Sequence, residues 1–423
     1  MFDDSHSTRS GKAPPGRRET VVMLAGLMAL NAFAIDAMIP ALPAIGESLG
    51  VARENDRQLV VLAYMFGFGS SQLLWGPLAD RFGRKPVLAV GVALYALFGL
   101  ACALAWSFPM LIAARFAMGA SAAVTRVLVT AMVRDLFEGE VMAQTMSLIF
   151  MVFILIPVVA PTVGQAILMV GEWHLIFVVL SAYAAAMWCW SMIRLPETLH
   201  PQYRRPLNLG AIGSAIGDTL KDRLSLGYTL ATTAIFGGLT AYIASIQQIV
   251  FDVFEAPQMI GLVFAGVAAP MAAASWANSR LVGRFGLRRV GHSGVIGFAV
   301  VAVLHLLVAA TVGESLGLFI LLQGLAMVGF AFCSANLSTL AMTNMAPIAG
   351  TASSVQGVTG TIGGAVIGLI IGQRFDGTQL PFLIGLATCA LIALAIVALT
   401  ERGRVLRKGG PRVSPPVVPE LCE

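Results

Sequence analysis

GPLADRFGRKP, residues 76–86, places Asp80, Arg81, Arg84 and Lys85 on one short turn between two long apolar runs. In a chain otherwise poor in charge, such a cluster marks a hairpin between membrane helices on the side where Lys and Arg collect. Of 423 residues 57% are hydrophobic and 12% charged, and the mean hydropathy is +0.83. That leaves too little polar surface to close a water-soluble globule.

Outward from the hairpin, apolar runs of about twenty residues, enough to cross ~30 Å of hydrocarbon, recur along the chain. They fall near 20–45, 57–79, 87–106, 109–133, 141–167, 173–195, 226–250, 258–280, 290–312, 316–340, 347–371 and 379–399. The pattern predicts an all-α membrane protein of twelve transmembrane helices with the lipid bilayer as its surroundings. The opening MFDDSHSTRSGKAPPGRR is basic, but no small-residue cleavage site follows a short apolar core, so the first run reads as a span and not a removable signal.

Lys and Arg outside the runs all fall on one side except Arg53, Arg57 and Arg374. The asymmetry predicts both termini and the middle loop in the cytoplasm of a multi-pass inner-membrane protein. The net charge of +5 is then a topology signal and not a nucleic-acid footprint. Cys102, Cys189, Cys333, Cys389 and Cys422 are scattered, which predicts no disulfide and no metal.

Between the sixth and seventh runs, HPQYRRPLNLGAIGSAIGDTLKDR is too polar to span. The chain therefore divides into a tail at 1–19, a six-helix bundle at 20–195, a linker at 196–225, a second bundle at 226–400 and a tail at 401–423. The hairpin repeats across this division. WGPLADRFGRKPV from Trp75 aligns with NSRLVGRFGLRRV from Asn278, pairing Arg81 with Arg284, Phe82 with Phe285 and Gly83 with Gly286. Such duplication is how secondary transporters build alternating access around a central site.

These residues resemble the major facilitator superfamily, and within it the twelve-span drug:proton antiporters of the bicyclomycin-resistance (Bcr/CflA-like) group. GPLADRFGRK is similar to the superfamily's signature loop, Arg115 and Gly119 in LIAARFAMGASAA to its second motif, and PVVAPTVGQ, with Pro157, Pro161 and Gly164, to the antiporter motif. AIDAMIPALPAI from Ala34 and LPETL from Leu195 are similar to the same group. The resemblance implies proton-coupled export of small hydrophobic or amphipathic drug-like compounds, with the acid matching Asp36 as protonation site and the Arg matching Arg115 as a helper in coupling. Some relatives carry a second acid two helical turns earlier, where this chain has Met28, so neutral or weakly charged compounds suit it better than dications.

From the residues alone, Asp36 is the one acid well inside an apolar run, which is costly enough to imply function. Its competing reading is a structural carboxylate that caps backbone freed by Pro40 or Pro43 or reaches the outer interface. Counting helix rise puts Asp36 and Arg115 at comparable depth. If both face the cavity, the guanidinium favours the ionised carboxylate and burial the protonated one, so proton occupancy responds to access and substrate; otherwise Arg115 snorkels to outer headgroups. Arg126, eleven residues on, shares the Arg115 face and reads as a cavity residue acting on anionic or zwitterionic compounds, or as one that snorkels to the cytoplasmic side.

Asn31, Tyr64, Gln72, Tyr242, Gln247, Gln248, Asn336 and Gln356 are uncharged polar residues in spans, divided between a substrate cavity and helix-to-helix hydrogen bonding. TASSVQGVTGTIGGAVIG marks the eleventh span as a close-packing helix. A conformational latch is expected from Gly76, Asp80, Arg81, Gly83, Arg84 and Arg134. In it Asp80 meets the positive N-terminus of the eleventh span near Pro347 and bonds with Arg134 or Arg84. Gly283 replaces Asp80 in the second repeat, so the latch is one-sided. No cofactor is implied. The chain carries no nucleophile with a base and no His/Asp/Glu cluster, with His174, His292 and His305 isolated, so an enzyme is not the reading. The expected protein is a monomeric drug:proton exchanger, the alternative being export of a natural metabolite such as a sugar or amino-acid derivative.

Overall fold

The computed structural model describes residues 16–200, 202, 209–404 and 406. Most of both tails, Cys422 and the linker residues Arg204 and Arg205 lie outside this set. Fourteen α-helices follow one another among the described residues: α1 (Arg17–Asp36), α2 (Leu42–Ser48), α3 (Leu59–Phe82), α4 (Arg84–Ala103), α5 (Phe108–Leu136), α6 (Gly139–Val170), α7 (His174–Arg194), α8 (Leu209–Lys221), α9 (Arg223–Gln248), α10 (Ile260–Phe285), α11 (Leu287–Thr311), α12 (Leu316–Ala341), α13 (Ala349–Gly372) and α14 (Leu380–Thr400).

Eleven helical segments are long and apolar enough to cross a membrane, α1 and α2 counting together as Arg17–Ser48, and α6 adds a 32-residue helix. The first span is therefore not one rod. Pro40 and Pro43 remove backbone donors, and the chain passes from Asp36 through a 3₁₀ turn at Ile39–Ala41 before resuming as α2. The linker contains α8, an amphipathic helix of 13 residues too short to span.

We call the face where α1 begins and α14 ends the tail side, and the opposite face the far side. Helices α1, α3, α4, α5, α6 and α7 pack among themselves, as do α9 to α14, and the two sets meet where α3 lies on α13 and α6 on α10. Glycine sets the closest approaches. A Cβ on Gly119 of α5 would fall 2.0 Å from the Tyr64 carbonyl oxygen of α3, so no larger residue lets these helices touch. Similarly, Gly363, Gly364 and Gly368 of α13 press on Thr233, Phe236 and Thr240 of α9.

The two related hairpins turn in the same way. Gly83 ends α3 at φ 103° and ψ 155°, and Gly286 ends α10 at φ 85° and ψ 153°. Both lie in the left-handed region open to glycine.

Candidate functional site

Among the described residues the only Asp, Glu, Lys or Arg well inside the spans, with Arg17–Ser48 taken as one, are Asp36, Arg115 and Arg126. Each is expensive in a membrane interior and needs an account. Arg115 is fully buried. Its Nε donates to the Val60 carbonyl at 2.9 Å and its Nη2 to the Ala34 carbonyl at 3.0 Å, while the guanidinium lies over the Tyr64 ring at 4.6 Å. It thus ties α5 to α3 and α1 and is neither in an open cavity nor snorkelling outward. Nor does it pair with Asp36, as comparable depth had suggested: backbone carbonyls take its donors, and these are invisible in a sequence.

Asp36 is the last residue of α1 and is 4% exposed. Among the described residues its carboxylate has no hydrogen-bond or ion-pair partner, so it does not cap the backbone at the proline break. Beside it, Gly164 of α6 packs so closely that a Cβ there would sit 1.9 Å from the Ala37 carbonyl oxygen. Pro157 and Pro161 lie inside α6, on the approach to this contact. From the other helix set, Tyr242 of α9 comes close enough to feel the charge on Asp36. The buried Tyr242 hydroxyl has no hydrogen-bond partner among the described residues. The carboxylate therefore stands at the junction of the two halves.

Several polar residues expected near a cavity serve packing instead. Asn31 donates to Thr125 Oγ1 at 2.7 Å and accepts from the Tyr64 hydroxyl at 3.0 Å, knitting α1, α5 and α3 together. Asn336 donates to Asn278 Oδ1 at 2.7 Å, within the second half. Gln247 is buried, and its Nε2, like that of Gln356, lacks a partner among the described residues.

Far-side polar groups join the halves. Gln58, ahead of α3, donates to Gln248 Oε1 at 2.5 Å and to the Gly372 carbonyl at 3.1 Å. Asn55 donates to the Gln373 and Phe375 carbonyls at 3.1 and 3.0 Å and accepts from Gln248 at 2.8 Å. Gln165 Nε2 reaches the Pro257 carbonyl at 2.8 Å. Deeper in the bundle, Gln72 donates to Thr361 Oγ1 at 3.2 Å. Asn55, Gln58 and Gln373 were not anticipated; the one available signal was three amides flanking charged loop residues at span ends.

The tail side is built differently. Asp80 pairs with Arg84 at 2.6 Å, and Arg84 with Asp135 at 3.2 Å. Glu197 accepts from the backbone N–H of Arg84 and Lys85, bracing the Gly83 turn. None of these comes from the second half. Arg81 lies over the Phe82 ring, Arg134 is exposed, and Gly76 faces Val127. Asp80 thus does not meet the start of α13, where nothing lies within 4 Å of a Cβ built on Gly350. The expected contact between Asp80 and α13 is not made here; α3 meets α13 farther along, where Gln72 lies against Gly357 and donates to Thr361. The space between the halves is closed on the far side and open on the tail side.

Arg126 occupies that space. Arg115, Gly119, Ala122 and Arg126 form one stripe of α5 at helical spacing, and the first three are buried while Arg126 is exposed. Outward-facing α5 residues, Ala113 and Phe116, lie elsewhere on the helix, along a surface groove with Leu59 and Phe66. Exposure on the inward stripe is therefore exposure to the interior space.

The three histidines are not isolated. His174 Nδ1 lies 3.2 Å from Glu172, His292 Nε2 lies 3.1 Å from the Tyr228 hydroxyl, and His305 Nε2 lies 2.8 Å from Glu314. Glu172 is two residues from His174, whereas folding brings Glu314 from the adjoining loop and Tyr228 from another helix.

Comparison with known proteins agrees with this architecture. The sequence profile described as Major Facilitator Superfamily matches residues 24–368. An "Uncharacterized MFS-type transporter YdgK" of Bacillus subtilis is 31% identical over 92% of this chain and 97% of its own length. A "Bicyclomycin resistance protein homolog" of Haemophilus influenzae is 31% identical over 90% of this chain and 96% of its own. "Multidrug resistance protein D" of Escherichia coli is 30% identical over 53% of this chain and 55% of its own. The human organic anion transporter MFSD10 shares the fold with a TM-score of 0.67 at 19% identity, covering 93% of this chain and all of that one. A D-xylose-proton symporter does so at 0.68 and 15%, covering 89% and 96%.

Proposed function

We propose that this chain, which belongs to the major facilitator superfamily, is a proton-coupled exporter of small hydrophobic or amphipathic compounds from the bacterial cytoplasm, with bicyclomycin- or phenicol-like molecules among its substrates. It sits as a monomer in the inner membrane with both ends in the cytoplasm, so the tail side is the inside and the structure faces inward. It catalyses no chemical change.

The observation that carries this reading is the position of Asp36. An unpartnered carboxylate at a helix break, at the junction of two rocking halves, can hold a proton in one state and release it in the other. In the inward-facing state substrate enters from the cytoplasm and Asp36 loses its proton to that side. Closure of the tail side and parting of the far-side amides then expose the site outward, where substrate leaves and the carboxylate is protonated again. Arg115 is a positioning residue: it fixes the carbonyl two residues before Asp36. The sequence relatives named for bicyclomycin and multidrug resistance support the substrate class.

The test uses inverted vesicles with an imposed pH gradient, comparing wild type and Asp36→Asn on addition of phenicols, bicyclomycin and dyes. Discharge by wild type but not by the variant is expected. Equal discharge by both would place coupling elsewhere, and no discharge by any compound would favour export of a natural metabolite.

A further inference from the structure

Arg126 is left unexplained by proton exchange at Asp36. Its side chain is exposed on the inward stripe of α5, and among the described residues the guanidinium has neither an ion pair nor a hydrogen bond. Every other arginine in the middle of a span is consumed by structure: Arg115 gives its donors to two carbonyls. Arg126 lies eighteen residues from the far-side start of α5 and ten from its tail-side end, roughly 27 and 15 Å along the axis. An arginine 15 Å from the nearest helix end, on the inward stripe, faces the passage between the halves.

Its level relative to Asp36 is set by the Asn31–Thr125 hydrogen bond of 2.7 Å. Arg126 lies one residue tailward of Thr125, and Asp36 lies five residues beyond Asn31 toward the far side, so Arg126 meets the passage roughly 9 Å tailward of Asp36. The passage wall opposite is uncharged. Helices α9, α10, α12 and α13 carry no Asp, Glu, Lys or Arg between Leu224 and Phe251, Ile260 and Ser279, Leu316 and Ala341, or Ala349 and Gly372. A permanent positive charge with five donors, without a partner among the described residues and exposed within a largely apolar passage, matches a carboxylate or phosphate on a ligand with an apolar body.

Resting on the exporter reading above, we propose that Arg126 is a specificity residue and that the preferred substrates are amphipathic anions or zwitterions whose anionic group docks on Arg126 with the remainder reaching toward Asp36. The charge balance follows. Exporting a monoanion while one proton enters moves two elementary charges in the same electrical sense, so the inside-negative potential drives the cycle along with the pH gradient.

The test measures binding to the detergent-purified full chain with three fluorescent probes of one apolar body: dansylglycine, its neutral glycinamide and the cationic dansyl-ethylenediamine. Wild type is expected to bind the anion about tenfold or more tighter than the amide, with the cation weakest. In Arg126→Gln the anion-to-amide ratio should fall to near one, and Arg126→Lys should retain part of it. A wild-type ratio near one, or a ratio that survives Arg126→Gln, overturns the proposal. Binding needs no proton movement, so the ratio can stand even if no probe discharges a pH gradient, in which case it is the exchanger reading that fails.

Discussion

The Arg115 guanidinium donates to the Ala34 carbonyl at 3.0 Å, two residues before Asp36, and to the Val60 carbonyl at 2.9 Å. One side chain on α5 thereby sets where α1 ends relative to α3. Arg115→Lys keeps the charge but cannot span both carbonyls with one ammonium. It should cost about 1–3 kcal/mol of stability and impair export, read as a lowered melting temperature in detergent and slowed gradient discharge. An unchanged melting temperature with full export would show that the bridge is dispensable.

The far-side amides should set the balance between inward- and outward-facing states. Gln58→Ala deletes two hydrogen bonds between the halves, each worth about 1 kcal/mol net, so the outward-facing population should rise about thirtyfold. Spin labels at the exposed far-side positions Leu104 and Val312 would report it as a longer inter-label distance. An unaltered distance distribution would assign the closure to apolar packing.

Gly164 should tolerate no side chain, because even a methyl would collide with the Ala37 carbonyl oxygen and force α6 away from the Asp36 break. Gly164→Ala is expected to reduce export at least tenfold, whereas Gly360→Ala, with nothing within 4 Å of its Cβ, should be neutral. Equal transport by the two variants would refute the close-contact argument.

On the tail side, Asp80 is half exposed and pairs with Arg84 alone, so Asp80→Asn should change stability by less than about 1 kcal/mol. Its effect should appear in turnover, through the closed tail-side state. Glu197→Ala removes the acceptor of three backbone N–H groups, including that of Leu199, and should destabilise the protein more. Thermal unfolding of the two variants in parallel checks the order.

The sequence made the helices legible because a bilayer demands long apolar runs, and the GPLADRFGRKP turn identified which side the charges gather on. Asp36 stood out because acids in such runs are rare. What Arg115 does was hidden, since backbone carbonyls carry no residue label. The gate formed by Asn55, Gln58, Gln248 and Gln373 was hidden because its partners are almost 200 residues or more apart. The Asp80–Arg84 pair was legible as charges, but the separation of Asp80 from α13 was not, because it depends on how the two halves sit. Arg126 lay between these cases: spacing gave its face, but only the neighbouring burial showed that this face looks inward.

Gly83 and Gly286 bend the chain alike, yet only the first bend is wired with Asp80, Asp135 and Glu197. Steering the chain and holding a state are thus separate jobs, and the second copy keeps the elbow with one looser pair, Arg288 and Glu401 at 3.5 Å, in place of that clasp. Gly283, where Asp80 has its counterpart, has open space around its Cβ position. An aspartate written in there would give the carrier a lock on each elbow, and its idling time between cycles would become a quantity to engineer.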